Sequence, residues 1–199
     1  MEPKLQRRVQ RYGWNKAAAH YEGFWSTQLR PAQDLMLQMA ALAAGERVLD
    51  VACGTGLITL RAADAVGPSG AVAATDISED MVTAVRAAAG ARGITGDFRR
   101  MDAETLEFPD AVFDAALCAL GLMYVATPLN ALREMHRVLR PGGRAAAVVW
   151  GARKNCGWAD IFPIVEARTA SDVCPMFFSL GTAHTLADTF RDSGFTNVR

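Results

Sequence analysis

The chain has 199 residues, 51% of them hydrophobic, enough to bury the core of one domain and too apolar for a disordered segment. Lys plus Arg equal Asp plus Glu at 21 each, so no net field draws it towards nucleic acid or an acidic membrane surface, and partners must be sought in local chemistry. The basic opening, MEPKLQRRVQRYGW, lacks the apolar run of a secretory signal, and the longest apolar stretch, residues 115–126, is too short to cross a bilayer; a soluble, cytoplasmic protein is expected.

In chain order, the first signal is helical. Trp14, Ala17, Ala18, Tyr21, Phe24 and Trp25 recur at three- and four-residue steps, which gives an aromatic face to a helix preceding the first strand. Residues 1–45 are therefore expected to form a helical lid over a domain of residues 46–199. Short apolar runs then alternate with stretches of helical period. Strands are predicted at 47–52, 71–76, 96–101, 113–119 and 144–150, and helices at 57–65, 80–91 and 129–139. The sequence RPGG, residues 140–143, is expected to end the last of these helices. Strands alternating with helices imply an α/β fold with a parallel sheet. Beyond it, Trp158, Ile161, Phe162 and Val165 form a second stripe, followed by Pro175, Met176, Phe177 and Phe178, a further lid candidate. A helix over 186–192, a stop at Gly194 and the start of a sixth strand close the chain. Cys53, Cys118, Cys156 and Cys174 show no paired C-x-x-C spacing and read as reduced.

In open parallel sheets ligands bind outside the carboxyl ends of the strands, so the chemistry is sought there. The first strand ends in DVACGTG, where Gly54 and Gly56 permit a tight turn close to a ligand. The second ends at Asp76, well placed to accept hydrogen bonds from both hydroxyls of a ribose. After the third stand Asp102 and Ala103, a carboxylate beside an amide that can read the edge of an adenine. Together these describe a site for an adenosine nucleoside. A dinucleotide would set its pyrophosphate against Asp50, and Thr59 stands where the third glycine of G-x-G-x-x-G belongs, which weakens a nicotinamide-dependent oxidoreductase. S-adenosylmethionine carries an ammonium and a sulfonium, and Asp50 can pair with the ammonium while the turn's amides take the carboxylate.

The segments VLDVACGTG, ATDIS, MDAE and LREMHRVLRPGG, in this order and spacing, resemble class I S-adenosylmethionine-dependent methyltransferases. Among these, the set is most similar to the quinone-biosynthesis (ubiquinone/menaquinone) methyltransferase-like group. The resemblance implies a Rossmann-like doubly wound sheet with S-adenosyl-L-methionine as cofactor. It implies that Asp50, Gly54 and Gly56 contact the methionine portion, with Ala52 in the same turn, and that Asp76 holds the ribose. Ile77 and Met81 would flank the adenine, Asp102 and Ala103 would meet its edge, and Cys118 would lend backbone to the amino end. Tyr12 and Tyr21 would close over the cofactor. The chain departs from the commoner pattern at Ala52 and Cys53, where many members have glycine.

No Asn-Pro-Pro-Tyr type of element and no basic stripe point to nucleic acid, and no H-E-x-x-H pair or carboxylate cluster points to a metal. Aromatic and methionine-rich lids point to a small apolar or aromatic acceptor, methylated by in-line displacement. His20, His136 and His184 are the candidate bases, His136 being better explained by packing, and no general base is assigned. The alternative is a non-catalytic nucleoside-binding or interaction protein that keeps the fold. Members of the group typically complete the sheet with an antiparallel hairpin, which this sequence lacks. The fifth strand is therefore expected at an exposed edge open to homo-oligomer formation, in a chain shortened at its C-terminus.

Overall fold

The structure is a computed structural model that describes residues 2–169 and 177–199; Cys174, Pro175 and Met176 lie outside the described residues. Five parallel strands, β1 (Arg47–Val51), β2 (Ala71–Asp76), β3 (Asp97–Arg100), β4 (Phe113–Ala119) and β5 (Leu139–Val148), form one sheet in the order β3-β2-β1-β4-β5. The chain builds outward from β1 to β3, then returns to place β4 on the other side of β1. That reversal opens a crevice between the carboxyl ends of β1 and β4. The helices are α1 (Pro3–Ala40), α2 (Thr59–Val66), α3 (Glu79–Ala91), α4 (Pro128–Val138), α5 (Ile161–Thr169) and α6 (Thr185–Asp192).

Both faces of the sheet are covered, which is why its central strands read as unbroken apolar runs. Leu49 and Val51 of β1, with Ala116 and Cys118 of β4, pack on one face against Ala131, Leu132, Met135 and Val138 of α4. Val48, Ala115 and Leu117 pack on the other against Ala62 and Val66 of α2 and Met36 and Ala40 of α1. The second half of α1 is thus part of the core, with Leu29, Gln33, Met36 and Ala40 buried, and the helix runs unbroken through Pro31. Arg144 fixes its end: the guanidinium donates to the carbonyls of Ala40 and Ala41 and forms a bidentate pair with Glu46, at 2.8 and 2.7 Å.

Three sequence expectations need correction. The 129–139 helix ends at Val138, and RPGG does not cap it. Leu139 is already extended and pairs with Phe113, and the register then jumps to Ala115 opposite Arg144. Pro141 forbids continued helix and Gly142 takes φ +82°, so the segment becomes a bulge within a longer β5. The stripe Trp158, Ile161, Phe162 and Val165 is also broken. Trp158 lies in a 3-10 turn, Gly157–Asp160, which shifts the phase of α5 and leaves Ile161 exposed while Trp158 and Phe162 pack on Phe177. Finally, the expected start of a sixth strand is absent, since no strand follows α6 among the described residues; β5 pairs with β4 alone and lies at the sheet's edge as expected.

Candidate functional site

At the crevice, the turns after β1, β2, β3 and β4 and the first half of α1 enclose a cavity. It brings together eight of the residues expected to form the site: Tyr21, Ala52, Gly54, Asp76, Ile77, Met81, Asp102 and Ala103. The α1 helix is its roof. Trp14 stands edge-on to Tyr21 and to Tyr124, with ring centroids 5.7 and 5.0 Å away, and the Tyr21 ring lies over Gly54. Polar contacts hold the roof down. Gln6 donates to the carbonyls of Tyr124 and Val125, and the Ser78 hydroxyl donates to Asn15 at 2.6 Å. Arg7 lies 2.7 Å from Asp102 and 3.0 Å from Glu104, close enough for an ion pair though Nε is poorly aimed for a hydrogen bond. The enclosed volume is about 80 Å³. Drug-sized ligands occupy pockets of roughly 300–1,000 Å³, so the cavity as it stands is small for a nucleoside, with α1 as its roof.

Two buried carboxylates define the electrostatics. Asp76, at the end of β2, accepts the Gly54 amide at 2.9 Å on Oδ2 and the Ser78 amide at 2.9 Å on Oδ1. Burial pushes its pKa up, and these backbone bonds oppose the rise. Ser78 also caps α3, accepting the Met81 amide at 3.2 Å, so the same turn positions Asp76, Ile77 and Met81. Asp50 lies in β1 and lines a smaller cavity that shares Tyr21, Ala52, Gly54 and Ala119 with the first. Its Oδ2 accepts the Thr59 hydroxyl at 2.6 Å, while its buried Oδ1 has no partner. Burial pushes Asp50 up to about 7; the Thr59 hydrogen bond opposes the rise and the Asp76 charge adds to it. Burial, reinforced by Asp76, likewise pushes the Tyr21 hydroxyl up to about 12. Neither carboxylate has an ion-pair partner among the described residues, so the pair offers a cation a desolvated, negatively charged place.

The remaining expected residues fall elsewhere. Gly56 lines neither cavity. Its φ is +96° and a Cβ there would sit 2.5 Å from Val85 Cγ2, so glycine is required for the turn to pack against α3. Cys118 is buried within the β4–β5 ladder, and the residues after it, Ala119, Leu120 and Gly121, line the cavity instead. Tyr12 faces solvent, with the Lys16 ammonium 4.6 Å over its ring. None of the three histidines lines the main cavity: His136 packs edge-on against Phe195, His20 lies beside Phe24 on exposed α1, and His184 faces the groove along β5. Sequence reasoning missed Thr59, reading it only as a missing glycine, although a hydroxyl at the start of the helix after an acidic strand end is the signal for a partner. It also missed Arg7 and Gln10, which lie seven and four residues before Trp14 and so share its helical face.

Residues 48–143, from β1 into the bulge of β5, match the model of a family described as a methyltransferase domain. Over this stretch the chain resembles class I methyltransferases. The chain is 44% identical over 121 residues to the ubiquinone/menaquinone biosynthesis C-methyltransferase UbiE of Pseudomonas fluorescens, a match covering 60% of this chain and 47% of that protein. The chain spans about half the length of the curated relatives it matches. Among solved structures, the chain resembles a SAM-dependent methyltransferase from Aquifex aeolicus, with 27% identity and a TM-score of 0.56, over 60% of this chain and 64% of that one. The [4+2]-cyclase SpnF is similar at 30% identity and a TM-score of 0.63, over 82% of this chain and 56% of that one. Residues 48–143 contain every expected cofactor-site residue except Tyr12 and Tyr21, which lie on α1.

Proposed function

We propose that the chain binds S-adenosylmethionine and directs its methyl group to a small apolar or aromatic acceptor, with C-methylation of a quinone-type ring, as in UbiE, the nearest reading. The observation that carries this is the orphan oxygen of Asp50, a buried carboxylate that calls for a cation beside a cavity lined by Asp76. A pyrophosphate there would meet like charge. S-adenosylmethionine supplies an activated methyl when bound. Asp50 pairs with its ammonium, Thr59 holds Asp50 in place, and Asp76 accepts the ribose hydroxyls. Ile77 and Met81 flank the adenine, with Ala103 and Asp102 at its edge. Trp14, Leu120 and Tyr124 give the acceptor an apolar wall, and Tyr21 closes over the turn as α1 returns, so that the first half of α1, rather than all of residues 1–45, serves as the lid. The task left to the protein is alignment and exclusion of water, and positioning of this kind can supply roughly 7–11 kcal/mol of a barrier.

The test has two stages. Calorimetry should show binding of S-adenosylmethionine and S-adenosylhomocysteine and none of nicotinamide dinucleotides. Incubation with methyl-labelled cofactor and quinone precursors, phenols and small acids should then label a product. SpnF is named a cyclase, and the likeness to it supports a second reading, a protein that keeps the fold for a role other than methyl transfer. Binding without label in any acceptor favours that reading, and failure to bind the cofactor refutes the first.

A further inference from the structure

The outer face of α1 is not explained by the cavity beneath it. Leu5, Val9 and Tyr12 stand four and three residues apart and are 39%, 47% and 63% exposed, so one face of the helix shows solvent a continuous apolar stripe. Lys4, Arg8 and Arg11 run along one side of the stripe and the Lys16 ammonium stands over the Tyr12 ring at its end, all four exposed, while Arg7 on the inner edge is engaged by Asp102 and Glu104. Between residues 2 and 16 Glu2 is the single acid. Lys4, Arg8 and Arg11, together with Arg100, also line a groove of about 710 Å³ between α1 and the end of β3; its acids are Glu2, Asp102 and Glu107. The groove shares Arg7, Ile77, Met101 and Asp102 with the cavity, so this cationic, apolar face lies at the cavity's mouth. The chain's zero net charge conceals it.

We propose that this face of α1 docks on an anionic lipid surface, with Leu5, Val9 and Tyr12 at the headgroup boundary and Lys4, Arg8, Arg11 and Lys16 among the phosphates. Charge complementarity selects an anionic partner, and the apolar stripe selects lipid over nucleic acid, whose backbone needs cations alone. No helix among the described residues is long and apolar enough to cross a membrane, so the contact is peripheral. An acceptor dissolved in the bilayer would meet the cavity where α1 lies on the lipid. The docking itself does not depend on methyl transfer.

Co-sedimentation of the full chain with vesicles of phosphatidylcholine, alone or mixed in equal parts with phosphatidylglycerol, tests it. Binding is expected only to the anionic vesicles and should weaken with salt. Replacing Lys4, Arg8 and Arg11 together by glutamine should lower it about a hundredfold, at roughly fivefold for each cation. The pair Leu5→Asn and Val9→Asn should also lower it while leaving retention of a single-stranded RNA oligomer unchanged. These side chains are exposed, so melting temperatures should not fall. Equal binding to both vesicle types, or none to either, overturns the proposal. So does tighter binding to RNA than to vesicles, or a dimer in solution that Leu5→Asn and Val9→Asn dissolve. Cofactor calorimetry on the same sample separates this failure from failure of the methyltransferase reading.

Discussion

Replacing Asp50 by asparagine should stabilise the protein and cripple its cofactor site. Burial lifts the Asp50 carboxyl from 3.8 to about 7, so the folded chain holds the proton more tightly than the unfolded one. Stability from this group is therefore complete below about pH 3.8, is lost as the pH rises to about 7, and stays lost above. At about 1.36 kcal/mol per unit, ionised Asp50 costs the folded state roughly 4 kcal/mol at pH 8. Asparagine keeps the shape and removes the charge, though its amide must find acceptors in a buried place, so a net gain of about 1–3 kcal/mol is expected. For a chain of this length that is a rise in melting temperature of roughly 3–10 °C, shrinking towards pH 5. Affinity for S-adenosylmethionine should move the other way. The ammonium loses a charged partner, a loss of about 1.5–3 kcal/mol, or roughly ten- to a hundredfold in Kd. In the parent protein, affinity should rise with pH through about 7 as Asp50 ionises. Thermal melts at pH 5 and pH 8, with calorimetry on the same samples, measure both effects. An Asp50→Asn protein no more stable than the parent at pH 8, or one that binds the cofactor equally well, would refute the reasoning.

Thr59→Val removes the hydroxyl that Asp50 accepts at 2.6 Å and should push the carboxyl higher still, shifting the pH profile of cofactor binding to more alkaline values; a profile that does not move would show that the hydroxyl holds nothing. Asp76→Ala takes the acceptor from the Gly54 and Ser78 amides as well as from the ribose. It should lower cofactor affinity at least tenfold and stability by about 1–3 kcal/mol, both read from calorimetry and melts. Gly56→Ala meets Val85 at a backbone angle that L-residues rarely adopt and should cost about 1–3 kcal/mol in chemical denaturation. An unchanged denaturation midpoint would sink the packing argument.

The sheet was legible because its central strands are buried on both faces and are rich in Val, Leu and Ala, and two of the five strands match the expected bounds to the residue, Ala71–Asp76 and Phe113–Ala119. What misled was chemistry that acts twice. Pro141 and Gly142 do forbid helix, but local sequence does not reveal that β4 waits beside them to pair with the extended chain. At the site, residues whose role is fixed by a strand end were placed in the cavity, as with Asp76, Ile77 and Ala103. Cys118, expected to lend backbone, lies one residue short of the cavity, whose wall begins at Ala119 where the strand ends. The roof was half seen. Aromatic spacing announced a helix and Tyr21 faces inward, while Tyr12, on the opposite side, does not.

Because one unbroken helix is both core element and roof, access to the cavity is a matter of leverage. Gln33, Met36 and Ala40 anchor α1 beyond Pro31, where the ladder of backbone bonds is weakened by the missing amide. Arg7 lies about 36 Å from that weak point at 1.5 Å per residue. A pivot of 10° at Pro31 would swing it by roughly 6 Å, far enough to part Arg7 from Asp102. A small bend deep in the core would thus become a wide excursion at the tip, and core packing around Met36 would set the stiffness of a movement well over twenty residues away.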